Sequence, residues 1–370
     1  MKQMYEFKFR FSCRSHRSSQ SIYQRKSSLS AGRIYIFAQS QNLKFSFIIL
    51  FLLLLISGLF FLNLNIGNAD VSLFSISENE IARKLVLDYR LPKTIAAILA
   101  GIALPVSGLL LQELFRNPLA DPSVLGITSA SGLGVGMVIF LSSVLGMSSM
   151  LNNPWLLCLA SFCGAMLGLM IIVFFSSRIN STAGLIIVGM MIAGLASALI
   201  GVLQFFAPSE KIKTYLIWTF GSMSGLSWTQ IFVFFVMVLI GILISILTFK
   251  GISGMRLGEN YAHTMGVNIK KTRWLILISS AILTASATAF VGPVAFIGLA
   301  IPHICRILFK RTEIIQLYIL VVLTGILSML LFLWISQIFP NGTLPINIIT
   351  SLIGAPIVMS ILMNRKQYSM

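Results

Sequence analysis

Polar side chains are so scarce in this chain that each one able to do chemistry can be weighed in turn. Of 370 residues, 10% are charged and three are histidines. His303 and Arg306 stand three apart in "GPVAFIGLAIPHICRIL", Gly292 to Leu308, so on a helix they share one face. With so few histidines, His303 reads as polar packing near a membrane interface rather than as a metal ligand. Arg90 and Lys93 bracket a Leu-Pro in "RLPK", two cations at a rigid helix entry that suit an acidic partner or simple interfacial anchoring. "LGENYAHTMGVNIKKTR", Leu257 to Arg273, concentrates a glutamate, a histidine, two asparagines and three further cations in one polar stretch. The four cysteines, Cys13, Cys158, Cys163 and Cys305, form no CxxC and read as small apolar packing residues. No HExxH, GxSxG or paired aspartates occur, which leaves no constellation for an intramembrane enzyme. No G-x-x-x-x-G-K-[ST] is present to cradle nucleotide phosphates.

The elements that position these residues are apolar helices. Hydrophobic residues make up 57% of the chain, and its charged fraction is far below the roughly 25% of soluble domains. Windows long enough to cross a bilayer, roughly 20 residues each, recur at about 45–64, 93–114, 123–146, 154–175, 182–206, 228–249, 274–291, 294–309, 315–338 and 346–363. The expected fold is therefore an all-α polytopic membrane protein of about ten transmembrane helices. The net charge of +17 reads as topology, not nucleic-acid binding, because no basic folded face with interleaved aromatics is visible. With the N-terminus inside, inner segments hold 21 of the 27 cations and outer segments six. Both termini are expected in the cytoplasm. Residues 1–44 carry nine of the cations, many serines and no periodicity, and read as a basic, disordered cytoplasmic tail.

Local chemistry sharpens several segments. Pro92 is expected at the start of its helix, where its missing N–H is no loss. "RNPLADPS" (Arg116–Ser123) reads as a tight inner turn at Asn117-Pro118 and Asp121-Pro122, with Asp121 or Ser123 able to cap the next helix. Gly292-Pro293 breaks the chain, and Pro302 frees a carbonyl one turn earlier, a place for a hinge. Pro345 makes a second Leu-Pro entry, followed by Gly354 and Pro356 within the last window. "SASGLGVG" (Ser129–Gly136) and "GAMLG" (Gly164–Gly168) permit close helix packing. In the polar stretch, Leu257, Tyr261 and Met265 fall on one helical stripe, expected to lie against the bundle, with Glu259, Asn260 and His263 facing away. Gly266 suits a left-handed helix stop.

These segments together resemble FecCD-type permease subunits, the inner membrane components of ABC importers for iron-siderophores, haem and vitamin B12. The resemblance rests on "RLPK" (90–93), "QELFRNPLADPSVLG" (112–126), "LGENYAHTMGVN" (257–268), "GPVAFIGLAIPHICR" (292–306) and "LPINIITSLIGAP" (344–356), in the family's order and spacing over roughly residues 45–365. It implies a vitamin B12 permease-like fold: a permease domain over 45–366 with an ATPase-coupling loop at 251–273, placed as a multi-pass protein in the inner membrane. It further implies a second permease copy, identical or paralogous, with the pathway between the two. Two ABC ATPase subunits, carrying the ATP and magnesium, and an extracytoplasmic substrate-binding protein complete the assembly. The resemblance assigns no cofactor, metal or catalytic residue to this subunit. On this resemblance Arg90 and Lys93 dock the binding protein. Gly258, Glu259, Ala262, His263 and Gly266 couple to the ATPase. Asn117, Pro118, Asp121, Pro122, Gly292, Pro293, Pro302, His303, Arg306, Pro345, Gly354 and Pro356 shape and gate the bundle. Two departures stand out: Lys93 replaces an arginine and loses its bidentate fork, and Thr343 replaces an acid before Leu-Pro.

The implied mechanism is alternating access driven by ATP on a partner. The competing class, an ion-coupled secondary transporter, usually needs a carboxylate or broken-helix ion site at the midplane. No acidic residue falls near the middle of any window, and Glu113 lies near the inner end of its own.

Overall fold

In a computed structural model the residues described are 45–66, 80–123, 125–142, 153–176, 178–179, 182–309, 313–339 and 342–363. The basic tail expected at 1–44, Lys310, Arg311, Arg365 and Lys366 lie outside them. The chain divides into two units, Met1–Leu54 and Leu55–Met370. In the first, residues 45–54 are helical. They begin an apolar helix, α1, Phe45–Asn65.

The second unit is all helical among its described residues. α2 runs over Glu80–Phe115, α3 over Ile127–Leu141, α4 over Pro154–Ser176 and α5 over Thr182–Phe205. α6 is Ser209–Thr219, α7 Trp228–Ile246, α8 Phe249–Arg256 and α9 Glu259–Thr264. α10 is Ile269–Val291, α11 Ile297–Leu308, α12 Ile314–Gln337 and α13 Ile346–Met363. Seven of these helices, α1 included, are long and apolar enough to cross a membrane. α3, α11 and Ile346–Ser360 of α13 are shorter apolar helices at the third, eighth and tenth expected windows.

α2 is the axis of this unit, with 83% of its apolar window buried. It reaches that position through small residues. A Cβ built on Gly108 would lie 1.8 Å from the carbonyl oxygen of Gly298 in α11, so the two backbones touch directly. Ser107 bonds across to Ser280 and Thr284 of α10 at 2.6 and 2.7 Å, a buried hydroxyl cluster with no charge in it. Such bonds are worth about 0.6 kcal/mol each between helices in a bilayer. α3 and α4 approach through the expected glycines: Cβ atoms on Gly134 and Gly164 would fall 2.2 and 2.3 Å from the Ala160 and Ala130 oxygens.

One local expectation is refined and one corrected. Pro92 stands in the first turn of the α-helical stretch Leu91–Phe115, as expected, but the helical run of α2 does not begin with that stretch. It starts at Glu80 and passes through a π-helical turn, Leu85–Arg90, in which the Leu91 N–H reaches back to the Val86 oxygen. That widened turn absorbs the N–H that Pro92 lacks. Asp121 and Ser123 do not cap α3, whose N-terminal flank is Gly126 in a left-handed conformation (φ 75°). Gly126 allows the turn to run three residues longer, and the Asp121 carboxylate accepts from Ser123 N–H and Oγ instead. Between the fifth and sixth expected windows a further helix, α6, forms, its Tyr215 packing on Val135, Ile139 and Phe140 of α3. Of the cysteines, Cys158 and Cys305 are buried, and Cys163 is exposed.

Candidate functional site

Two polar centres sit at opposite ends of the helices. At one end, α8 leads into the polar stretch and α9 is folded within it. α9 starts after Gly258 (φ 116°) and stops at Gly266 (φ 72°), which takes the left-handed conformation its helix-stop role requires. Ala262 is fully buried and faces Gly254 of α8, where a built Cβ would meet the Ala262 Cβ at 3.4 Å. Val267, bonded N–H to Ala262 oxygen at 3.0 Å, closes the same contact.

This contact reverses the expected facing of the stripe. Leu257, Tyr261 and Met265 are 66, 54 and 52% exposed. The close approach of Gly254 and Ala262 decides the rotation of α9, because a small residue lets the backbones meet and turns the large side chains outward. Asn260 and His263 are exposed as well. The Glu259 side chain lies outside what is described. A groove of about 670 Å³ runs beside the stripe, lined by Arg116, Leu257, Gly258, Asn260, Tyr261 and Thr264.

Beneath the groove lies a charged cluster that sequence reasoning did not assemble. Glu113, in the last turn of α2, is 9% exposed. Arg256, the last residue of α8, grips it with two bonds, Nε to Oε2 at 2.8 Å and Nη2 to Oε1 at 2.5 Å. Arg306 of α11 donates to Glu113 Oε1 at 3.0 Å and to Gln112 Oε1. Gln112 in turn donates to the Leu299 oxygen at 3.1 Å, and Arg116 to the Met255 oxygen. The paired carboxylate raises the Arg256 guanidinium above its ordinary range. The signal available in sequence was only that Glu113 is an acid at a helix end; its partners lie 143 and 193 residues away.

The other expected site residues shape α11. Asn117 Oδ1 accepts from Leu119 N–H at 3.0 Å, closing the turn through Pro118. Asp121 and Pro122 press on the start of α11: a Cβ on Gly298 would meet Asp121 Oδ1 at 2.7 Å and Pro122 Cδ at 3.4 Å. Burial raises the Asp121 carboxyl above its ordinary value, offset in part by its bonds from Ser123. Phe296 enters α11 in a left-handed conformation (φ 66°), and Gly354 of α13 packs on it, where an added Cβ would fall 2.4 Å from the Phe296 Cβ. Pro302 lies inside α11, and His303 is buried beside it. Pro356 sits within α13, on an exposed face.

At the opposite end, Gly292 (φ 83°) lies against Gly221, and the Pro293 oxygen 3.0 Å from where a Gly221 Cβ would stand. Asn347 knits this end, accepting from Ala295 N–H at 3.1 Å and donating to the Thr219 oxygen at 3.2 Å. The two cations of "RLPK" part company here. Arg90 is 6% exposed and donates to the Leu64 and Asn65 oxygens at 2.9 and 3.0 Å, holding the end of α1. Lys93 is half-buried and, among the described residues, is the one charged side chain lining a cleft of about 200 Å³ walled by Phe220–Ser224 and Thr343–Ile346, Pro345 among them. Among the described residues, no group of three His, Cys, Asp or Glu side chains gathers that could hold a metal.

An apolar helical bundle with a compact two-faced helical loop at one end and a charged cluster under it has the form of a membrane permease. The comparisons agree with that form. The chain belongs to the FecCD transport family, whose pattern it matches over residues 49–364. The haemin transport system permease HmuU of Yersinia pestis is 30% identical over 328 residues, covering 86% of this chain and 95% of that protein. The vitamin B12 import system permease BtuC of Vibrio vulnificus is 31% identical over 312 residues, covering 84% and 91%. Among solved structures, a metal-chelate type ABC transporter in an inward-facing conformation superposes with a TM-score of 0.75 at 30% identity, covering 85% of this chain and 98% of that one. The chain is thus a permease component of an ABC importer, resident in the inner membrane, and its substrate lies among those that such permeases carry.

Proposed function

We propose that this permease forms the translocation pathway for a bulky metal chelate, an iron-siderophore complex before haem or cobalamin, delivered by a substrate-binding protein and driven by partner ATPases. The observation that carries the reading is the exposed apolar surface formed by Tyr261 on α9 and by Leu257 and Met265 flanking its two ends. Exposed apolar side chains on and beside a helix of six residues, rimmed by Arg116 and Asn260, are surface that a protein partner covers. It lies on the inner side in the charge-derived topology, where an ATPase would dock. Gly258, Ala262 and Gly266 support the role by fixing the fold and facing of that helix. ATP binding would draw the ATPase pair together and push on α9. A permease of this kind works with a second copy, the pathway running between the two.

At the outer end, the half-buried Lys93 is the cation that faces open space and so the direct contact for an acid of the binding protein. Arg90 supports that docking by holding the end of α1 in place. The test is reconstitution of the permease with its ATPase and binding protein in liposomes, measuring uptake of a ferric siderophore, haemin and cobalamin. ATP-dependent uptake of the ferric siderophore is expected. Uptake that proceeds equally well without ATP, on an ion gradient alone, would replace this reading with a secondary transporter.

A further inference from the structure

The charged cluster beneath α9 goes beyond docking, because it names how a push on the loop reaches the helices. α8 and α9 fold on each other through Gly254, Ala262 and Val267, and on the start of α10 through Gly251 and Thr272. None of these contacts touches the end of α2 or α11. Arg256, two residues before Gly258, carries a charged side chain from this loop to Glu113 at the end of α2, beside the Arg116 bond to the Met255 oxygen, and Glu113 carries the contact on to α11. Its guanidinium grips Glu113 with two parallel bonds, a geometry that resists rotation as well as separation. Glu113 is at the same time held by Arg306, which lies beyond Pro302 in α11. The residue before Glu113, Gln112, holds the Leu299 oxygen on the other side of Pro302. One turn of α2 therefore grasps α11 on both sides of its proline while α8 grasps that same turn.

We propose that Glu113 is the positioning residue that transmits movement of the 249–268 loop to α2 and to the Pro302-hinged α11, with Arg256 as the arm from the loop and Arg306 as the arm from the hinge. The inference rests on the reading of this loop as the ATPase contact. It requires that loss of one arm lower the transport obtained per ATP hydrolysed, not merely the amount of folded transporter. A group that only stabilised the fold would lower transport and hydrolysis together and leave their ratio intact.

The experiment uses the complete transporter in proteoliposomes, with whichever of a ferric siderophore, haemin or cobalamin the wild type imports as probe. Uptake and ATP hydrolysis are measured in parallel for wild type, Arg256→Ala, Arg256→Lys and Glu113→Gln. Arg256→Ala is the mild variant, since the Arg256 side chain is 34% exposed and its removal leaves Glu113 paired with Arg306. The expected result is a fall in substrate delivered per ATP of about 5- to 150-fold for Arg256→Ala, the usual range for coupling between sites. Arg256→Lys should recover part of it, keeping the charge without the fork, and Glu113→Gln should fall at least as far as Arg256→Ala. An unchanged ratio in Arg256→Ala overturns the proposal, as does a parallel fall of uptake and hydrolysis. Should Arg256→Ala not assemble, a Lys variant with the wild-type ratio overturns it equally. A wild type that imports without ATP removes the docking reading beneath it, and that failure is recognised from the wild type alone.

Discussion

At the scale of single residues, the two cations of "RLPK" illustrate how one motif divides its labour. Arg90 spends its guanidinium on the last carbonyls of α1, where a cation also meets the negative end of the helix dipole. Lys93 keeps an open path to its cleft. Lys93→Glu should therefore abolish stimulation of ATP hydrolysis by the binding protein and leave the melting temperature of the permease nearly unchanged. Arg90→Ala should do the reverse first, losing about 1.5–3 kcal/mol of stability for its charged hydrogen bonds, read as a lower melting temperature in detergent. Full stimulation in Lys93→Glu would refute its docking role. Asp121 makes a pH prediction. Its carboxyl is raised by burial, so the fold favours the protonated acid and the ionised form costs stability. The cost is absent below the ordinary value of 3.8, sets in as pH rises past it, and is complete above the raised folded value. Asp121→Asn keeps an acceptor for Ser123 and removes this cost. The melting-temperature difference between the Asp121→Asn variant and wild type should widen in the variant's favour as pH rises above the ordinary value of 3.8; a difference independent of pH would contradict it.

At the scale of elements, α2 and α11 owe their contact to Gly108 and Gly298. Gly108→Ala would drive a methyl to within 1.8 Å of the Gly298 oxygen, so backbone must shift. A loss of about 1–3 kcal/mol is expected from such overpacking, seen as a lower melting temperature. Gly194→Ala in α5, with nothing within 4 Å of the added carbon, is the matched control and should stay within about 0.5 kcal/mol of wild type. Equal effects of the two would show that the close approach does not hold the bundle. The same elements mark what periodicity can and cannot show. Each apolar window contains a helix, because burial in lipid demands continuous apolar sequence and backbone bonds satisfied within the segment. The Leu85–Arg90 π turn and α6 were not legible. The first is a response to Pro92 two residues beyond it, and the second owes its place to Tyr215 packing on α3, a tertiary contact with no local signature.

At the scale of the whole molecule, the coupling surface was legible in composition and misread in facing. Leu257, Tyr261 and Met265 announce a stripe, and a stripe in a monomer normally faces its own core. Which way it turns depends on Gly254 and Ala262, whose small size shows only once α8 and α9 are packed. The charged cluster was invisible for a related reason, since Glu113, Arg256 and Arg306 are joined by the fold across 143 and 193 residues. The outward facing makes opposite predictions from the inward one. Tyr261→Glu places charge on a surface that the permease alone leaves open, so its stability should stay within about 0.5 kcal/mol of wild type. Association with the ATPase should weaken by at least about 2 kcal/mol, roughly 30-fold, as for a central aromatic anchor, measured as the dissociation constant of the detergent-solubilised complex. Ala262→Leu forces a large side chain into the fully buried contact with Gly254 and should destabilise the loop before any partner arrives. If Tyr261→Glu unfolds the loop while Ala262→Leu leaves it intact, the stripe faces the bundle after all, and the surface offered to the ATPase must be sought on Asn260 and His263 instead.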